Sequence, residues 1–302
     1  VPDVLDPRPP AIDDRSSIVD HRPSTIDDLL AEAVGRLAAA RVPEPRREAL
    51  RLWADRSGTA PGEAYLARAT TVSAAMAQDY LALVDRRAAG EPLAYVTGKA
   101  GFRRLVLAVD RRVLIPRPET EGLVDLVLRH GGRGTMADIG TGSGCIALSL
   151  RLEADAGVVL AVDQCPGALA VAAANMTALA LPVSVLRGDL TTALAPGSLD
   201  VLVSNPPYIA RHEYLALEPG VREWEPRQAL ESGVDGQDAT RRLLDDGRRV
   251  LRAGGLLVLE LDASRAEGAG RAAGHLGWDH VQVQADLFGR ARYLVARRRS
   301  DP

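Results

Sequence analysis

Met136-Ala137-Asp138-Ile139-Gly140-Thr141-Gly142-Ser143-Gly144 is the stretch that decides the fold. A short apolar run enters three alternating glycines and leaves as Cys145-Ile146-Ala147-Leu148-Ser149-Leu150, so the segment reads as strand, tight turn, helix. Glycine allows tight backbone and close approach of a ligand. Alone, such a turn suits a dinucleotide site equally well. The next apolar run, Val158-Val159-Leu160-Ala161-Val162, ends at Asp163. An acidic residue about 20 positions on suits a ribose diol, and it also suits a cap for the helix opening near Pro166. A third strand, Val183-Ser184-Val185-Leu186, runs into Arg187-Gly188-Asp189-Leu190, where Asp189 reads either as an adenine-edge contact or as an ordinary turn residue. A fourth covers Leu199 to Ser204. The loops after all four fall at carboxyl ends of strands, where open α/β sheets bind ligands.

The fourth strand ends in Asn205-Pro206-Pro207-Tyr208. Each proline locks its own φ and restricts the residue before it. The Asn205 side chain offers a carbonyl acceptor and an NH2 donor, the backbone carbonyls of Asn205 and Pro206 are free of helix pairing, and Tyr208 can stack on a flat group. Two acceptors in this turn suit a planar amide or amino nitrogen, held by its two N–H bonds with its lone pair aimed at an electrophile. A plain turn in which Asn205 bonds its own backbone is the bland alternative. Two prolines and a tyrosine directly after the asparagine weigh against it.

Together these residues resemble the class I S-adenosylmethionine-dependent methyltransferases, and among them the amino-group N-methyltransferases with an Asn-Pro-Pro-Tyr motif. Glu91-Pro92-Leu93-Ala94-Tyr95-Val96-Thr97-Gly98, Phe102, Leu114-Ile115-Pro116-Arg117-Pro118-Glu119-Thr120-Glu121, Glu225-Pro226, Ala229-Leu230, Gly233 and Asp235-Gly236 look like the HemK/PrmC family, the protein-glutamine N5-methyltransferases that modify peptide chain release factors. The similarity covers roughly residues 75 to 298. It implies an α/β fold: a Rossmann-like, mostly parallel seven-stranded sheet with a small helical N-terminal domain and a β-hairpin linker. It implies methyl transfer from S-adenosyl-L-methionine, with S-adenosyl-L-homocysteine as product, to the side-chain amide of the glutamine in Gly-Gly-Gln. The implied cofactor contacts are Gly140, Thr141, Gly142, Ser143, Gly144, Asp163, Asp189, Leu190 (packed on the adenine) and Asn205. Asn205, Pro206 and Tyr208 are implied as catalytic, and Asn205, Pro206, Pro207, Tyr208 and Arg117 as substrate contacts. The implied partner is a release factor.

The chain departs from the family in three places. The N-terminal domain matches loosely between about 40 and 70, the tail before residue 23 is long, and Glu260-Leu261-Asp262-Ala263-Ser264 lacks the usual glycine after the acidic residue. Glu260 itself ends a strand at the ligand edge, where it either reaches the site or is solvated, the commoner fate of a carboxylate. Two other substrates keep the same chemistry: a peptide or small amine for a paralogue in specialised metabolism, or a flipped adenine N6 in nucleic acid. A formal net charge of −3 gives no global basic field for nucleic acid, and no target-recognition segment is evident.

With 302 residues the chain can form one large domain and a small one. Residues 1–23 are rich in Pro, Asp and Arg and read as a flexible tail. Residues 24–90 read as the helical substrate-recognition domain, with helices from Ser24-Thr25, near Arg46 to Trp53, and near Val72 to Ala88. Residues 91–118 read as the β-hairpin linker, Leu105–Val109 and Val113–Ile115 flanking Asp110-Arg111-Arg112, and 119–302 as the catalytic domain, ending in two strands near 281–283 and 291–296. Cys145 and Cys165 give no disulfide framework or zinc spacing, and the five histidines are scattered, so no metal site is expected. Without an apolar run of membrane-spanning length or a signal-peptide core, the reading is cytoplasmic, with no membrane partner.

Overall fold

The computed structural model describes residues 24–300, so the expected tail lies outside the described residues. The chain divides between Val84 and Asp85 into two compact units, ahead of the boundary expected at residue 90. The first contains α1 (Ile26–Ala39), α2 (Pro45–Ser57), α3 (Pro61–Leu66) and most of α4 (Ala74–Ala88). Thr25 starts α1 through a capping box with Asp28: the Asp28 N–H donates to the Thr25 hydroxyl at 3.2 Å, and the Thr25 N–H donates back to the carboxylate at 2.9 Å. The unit closes around Leu29, Leu37, Leu52 and Trp53, all buried. Tyr80 meets Trp53 edge to face at 5.3 Å and donates its hydroxyl to the Ala49 carbonyl at 3.0 Å, so the ring is buried with its polar end satisfied.

The second unit begins with α5 (Leu93–Thr97) and a hairpin of β1 (Lys99–Phe102) and β2 (Leu105–Ala108). The hairpin is thus formed ahead of the expected one, and residues 109–117 form no strand. The physical reason lies at Arg103, which takes φ +51 in the two-residue turn without glycine or asparagine to announce it. Its guanidinium forks onto Glu153 with two 2.8 Å bonds and reaches Asp125 at 2.7 Å, while its N–H donates to Glu121. That clamp fixes the turn from elements far along the chain.

After α6 (Glu121–Arg129) come β3 (Arg133–Ile139), α7 (Cys145–Glu153), β4 (Asp155–Asp163), α8 (Pro166–Leu179), β5 (Ser184–Arg187) and β6 (Leu199–Ser204). Short helices α9 (Arg211–Tyr214) and α10 (Pro219–Arg222) lead to α11 (Asp238–Val250), β7 (Leu251–Glu260), α12 (Ala266–His275), β8 (Trp278–Ala285) and β9 (Ala291–Arg298). The seven strands order as β5-β4-β3-β6-β7-β9-β8, parallel through β7, with β9 antiparallel between β7 and β8. This is the class I S-adenosylmethionine-dependent methyltransferase architecture.

Alternation along the strands supplies both cores. Met136, Val201, Val203, Leu256 and Val258 face α6, α7 and α8, whereas Ala137, Ile139, Leu202, Leu257 and Leu259 face α11 and α12. Among the described residues no helix is long and apolar enough to cross a membrane.

Asn175 on α8 ties the hairpin to this sheet. Its Oδ1 accepts from the Ala108 N–H at 2.7 Å, and its Nδ2 donates to the carbonyls of Ala108 at 3.0 Å and Ser143 at 2.9 Å. The side chain is buried, so truncation strands backbone groups without water. Asn175→Ala is therefore expected to destabilise the protein by about 2–4 kcal/mol, read as a lower urea midpoint with unchanged slope. An unchanged midpoint would show that the hairpin does not rely on this side chain.

Candidate active site

Parallel pairing brings the two informative turns together. Ile139 is the register partner of Ser204, so Gly140 and Asn205 leave neighbouring strands at the same level. The buried Ser204 hydroxyl donates to the Ile139 carbonyl at 2.6 Å and locks the two strand ends to each other. The neighbouring pair Asp163 and Arg187 aligns β4 with β5 at the same edge. A cavity of about 370 Å³ opens there, a size typical of small-molecule sites. Gly140, Gly142, Asp163, Asp189, Leu190, Asn205 and Pro207 all line it, together with residues of the 226–242 segment.

Gly140 and Gly142 have φ of +74° and +55°, and a Cβ on either would meet no atom within 4 Å, so both turn bare backbone toward open space. The Asp163 carboxylate accepts from the Gly142 N–H at 3.0 Å with one oxygen and from the Cys165 N–H at 2.9 Å with the other. It holds the glycine turn and the start of α8 at once. Asp163 thus holds the N–H of Cys165, the residue that caps α8, without being the cap itself, and it also faces the cavity. Asp189 is exposed and pairs with Arg242 at 2.8 Å across the cavity lining. Leu190 keeps a left-handed φ of +50°, uncommon for any residue but glycine, and lines the cavity beside Asp189.

Other expected residues have different surroundings. Thr141 and Ser143 are buried, and the Thr141 hydroxyl donates to Asp138 at 2.6 Å. Gly144 starts α7, where its Cβ position is closed by Leu148 and Ala172. Pro206 is buried and Tyr208 half-buried, and neither lines the cavity. Burial pushes the Tyr208 hydroxyl up to about 12, with the nearby Glu260 charge adding to the shift. Arg117 is held by Glu225 at 2.5 Å instead of facing the cavity, and the same buried carboxylate accepts from the Ile115 N–H at 3.2 Å.

The segment after the motif clamps it. The Ile209 N–H donates to the Leu230 carbonyl, the Ser232 N–H donates to the Ile209 carbonyl, and each bond is 2.9 Å. Gly236 has φ +78° and lies against the Tyr208 carbonyl so closely that a side chain there would displace the turn. Arg265 joins the Asp235 carbonyl at 2.8 Å, the Tyr208 carbonyl at 3.4 Å and the Glu213 carboxylate at 2.7 Å.

Three further residues lie at the site, of which sequence reasoning places only Glu260 near it and misses Thr120 and Asp138. Asn205 Nδ2 donates to the Thr120 hydroxyl at 2.9 Å, and that hydroxyl donates to Glu260 Oε2 at 2.8 Å. Glu260 is 1% exposed, so the expected solvation is corrected: the strand end turns its carboxylate inward onto Thr120, with Arg292 at 3.9 Å. The third is Asp138, fully buried, with Oδ2 bonded to Thr141 and to the Ala147 N–H at 3.1 Å and Oδ1 unpaired. An acidic residue in the last two positions of an apolar strand was the available signal for both carboxylates.

Burial raises Asp138 to about 7, against its bonds to Thr141 and Ala147, and raises Glu260 to about 7, against its bond to Thr120. An acid whose folded pKa lies above its unfolded value loses stability as pH rises between the two. Asp138→Asn removes one such group. Its stability relative to the parent protein is expected to rise by on the order of 2 kcal/mol between pH 5 and 7.5, measured by urea unfolding without ligand. A pH-independent difference would contradict the buried, protonated reading of Asp138.

Comparisons with known proteins agree with this geometry. Residues 28–98 match the PrmC N-terminal domain, and residues 120–218 match the methyltransferase small domain. The chain is 40% identical to the release factor glutamine methyltransferase of Cereibacter sphaeroides over 89% of its own length and 97% of that protein. It is 43% identical to the one from Moorella thermoacetica over 90% and 98%. The hMettl16 catalytic domain superposes with a TM-score of 0.53 at 18% identity, covering 76% of this chain and 83% of that one, a likeness of fold alone. The chain belongs to the release factor glutamine methyltransferase family and is a methyltransferase enzyme of the class I S-adenosylmethionine-dependent fold.

Proposed function

We propose that this enzyme transfers a methyl group from S-adenosyl-L-methionine to the side-chain amide nitrogen, N5, of the glutamine in the Gly-Gly-Gln segment of a peptide chain release factor, in the cytoplasm. The observation that carries the reading is the shared cavity: Asn205 and Pro207 line the same space as the glycine turn and Asp163. Open backbone at Gly140 and Gly142, a carboxylate at Asp163 and an apolar wall at Leu190 fit a ligand with a charged amino-acid end, a ribose and an adenine. Asp163 would hold the ribose hydroxyls. Leu190 and Asp189 would take the adenine, and the turn from Gly140 to Gly144 the amino-acid end. When bound there, S-adenosyl-L-methionine supplies an electrophilic methyl on a sulfonium and is recovered as S-adenosyl-L-homocysteine.

The protein's own task is to make a poor nucleophile serviceable. An amide nitrogen delocalises its lone pair into the carbonyl. Asn205 Oδ1 and the Pro206 carbonyl would accept its two N–H bonds, fix its direction and favour pyramidal character as it reacts. The gain is orientation and electrostatic complementarity, with no strong base required: the S–CH3 bond breaks as the N–CH3 bond forms, and the nitrogen then gives up one proton to water. Pro207 and Tyr208 would wall the amide, and Arg117, held by Glu225, would stand at the substrate's approach.

Asp163→Ala is expected to weaken S-adenosyl-L-methionine binding by about 1–3 kcal/mol, the loss of charge-assisted bonds to the ribose, as read by calorimetry. Unchanged affinity would remove Asp163 from the cofactor site. Asn205→Ala should leave that affinity nearly intact and cut turnover by about 10²–10³. Label transfer should be compared on a release factor bearing Gly-Gly-Gln, its Gln→Glu variant and an adenine-containing oligonucleotide. Label on the first alone supports the proposal. Label on the oligonucleotide, or on none while the cofactor is bound, would overturn it.

A further inference from the structure

The Asn205 amide has two ends, and only one of them can serve an incoming N–H. Its oxygen accepts and its NH2 donates, so a flipped amide would present two donors to a nitrogen that is itself a donor. Nothing in the Asn205-Pro206-Pro207-Tyr208 turn itself decides which end faces the cavity. The decision comes from outside the motif. The Thr120 hydroxyl gives its single hydrogen to Glu260 Oε2 at 2.8 Å. That leaves the Thr120 oxygen as an acceptor, and the Asn205 group facing it at 2.9 Å must be the NH2. The two hydrogen bonds therefore run in one direction, and Asn205 Oδ1 is left on the opposite side. Glu260 and Thr120 are 1% and 3% exposed, so water does not compete for either group.

The surroundings hold Glu260 in place. Arg292 stands 3.9 Å from Oε1 and is itself braced by Asp286 at 2.8 Å. The neighbouring Tyr293 donates its hydroxyl to the Glu119 carbonyl at 2.6 Å, fastening the segment that carries Thr120 to the strand that pairs with β7. Gly122 leaves room for that ring, because a Cβ there would overlap the tyrosine hydroxyl.

We propose that Thr120 and Glu260 are positioning residues that fix the Asn205 amide with its oxygen toward the acceptor nitrogen of the substrate. This rests on the function assigned above to Asn205. Neither residue touches the cavity, and both act through Asn205.

Three variants of the full-length protein test the relay. Thr120→Val keeps the shape and removes the hydroxyl, Thr120→Ser restores it, and Glu260→Gln removes the group that sets its direction. With a Gly-Gly-Gln release factor as acceptor, Thr120→Val should lower kcat about 10–100-fold, with KM and S-adenosyl-L-methionine affinity changed less than about twofold. Thr120→Ser should recover most of the loss. An independent readout needs no acceptor: the Asn205 side-chain NH2 signals in 15N-resolved NMR, identified by their disappearance in Asn205→Asp. They should shift and lose exchange protection in Thr120→Val and Glu260→Gln and return in Thr120→Ser. Asn205 signals indifferent to all three variants would overturn the relay even if methyl transfer proceeds. If the parent protein modifies no release factor, the function assigned to Asn205 falls separately, and the NMR shifts still decide whether the amide is held. An equal loss of kcat in Thr120→Val and Thr120→Ser would also overturn the proposal, because it would reflect packing and not the hydroxyl.

Discussion

The whole site depends on the parallel register of β3 and β6. Pairing Ile139 with Ser204 sets the glycine turn beside the Asn-Pro-Pro-Tyr turn, and the Ser204 hydroxyl on the Ile139 carbonyl fastens that level. In a strand each step of one residue reverses the face of every side chain. A slip here would drive Val201 and Val203 out of one core and Leu202 out of the other, so burial on both faces protects the register. The geometry of the two turns is thereby inherited from hydrophobic packing, which is far stronger than any single polar contact at the edge.

Polar groups then refine what packing sets. Asp163 uses both carboxylate oxygens on backbone N–H groups, one in the glycine turn and one at the start of α8. The segment from Leu230 to Gly236 holds the Asn-Pro-Pro-Tyr turn by backbone bonds and by the absence of a side chain at Gly236. Two buried carboxylates, Asp138 and Glu260, lie under these turns with their acidity weakened by burial. Both lower the stability of the fold near neutral pH. Their position beneath the two functional turns is where such a cost is commonly accepted for the sake of organisation.

Much of this was legible from sequence because it is local. The strand ends at Ile139, Asp163 and Ser204 follow from apolar runs closed by glycine, acid or proline, and the β6 boundaries agree residue for residue with the structure. The place of Asp163 at the end of β4 was readable from the apolar run before it. What escaped depends on partners far away in the chain. Thr120 and Glu260 are 140 positions apart, Arg117 and Glu225 are 108 apart, and Arg103 and Glu153 are 50 apart. No periodicity or turn signal encodes such pairs. The hairpin was misjudged for the same reason: the Arg103 turn is set by distant carboxylates, while Asp110-Arg111-Arg112 looked like the better turn locally. Arg112 does pair with Asp110, but it closes a loop without a strand on its far side.

A crystal structure with S-adenosyl-L-homocysteine and a Gly-Gly-Gln peptide bound together is the most direct test of the central claim. The glutamine amide nitrogen should lie within hydrogen-bonding distance of Asn205 Oδ1 and the Pro206 carbonyl, with the Asn205 NH2 on Thr120 and the ribose hydroxyls on Asp163. A glutamine amide bound elsewhere, or an Asn205 side chain turned so that its NH2 faces the peptide, would contradict it.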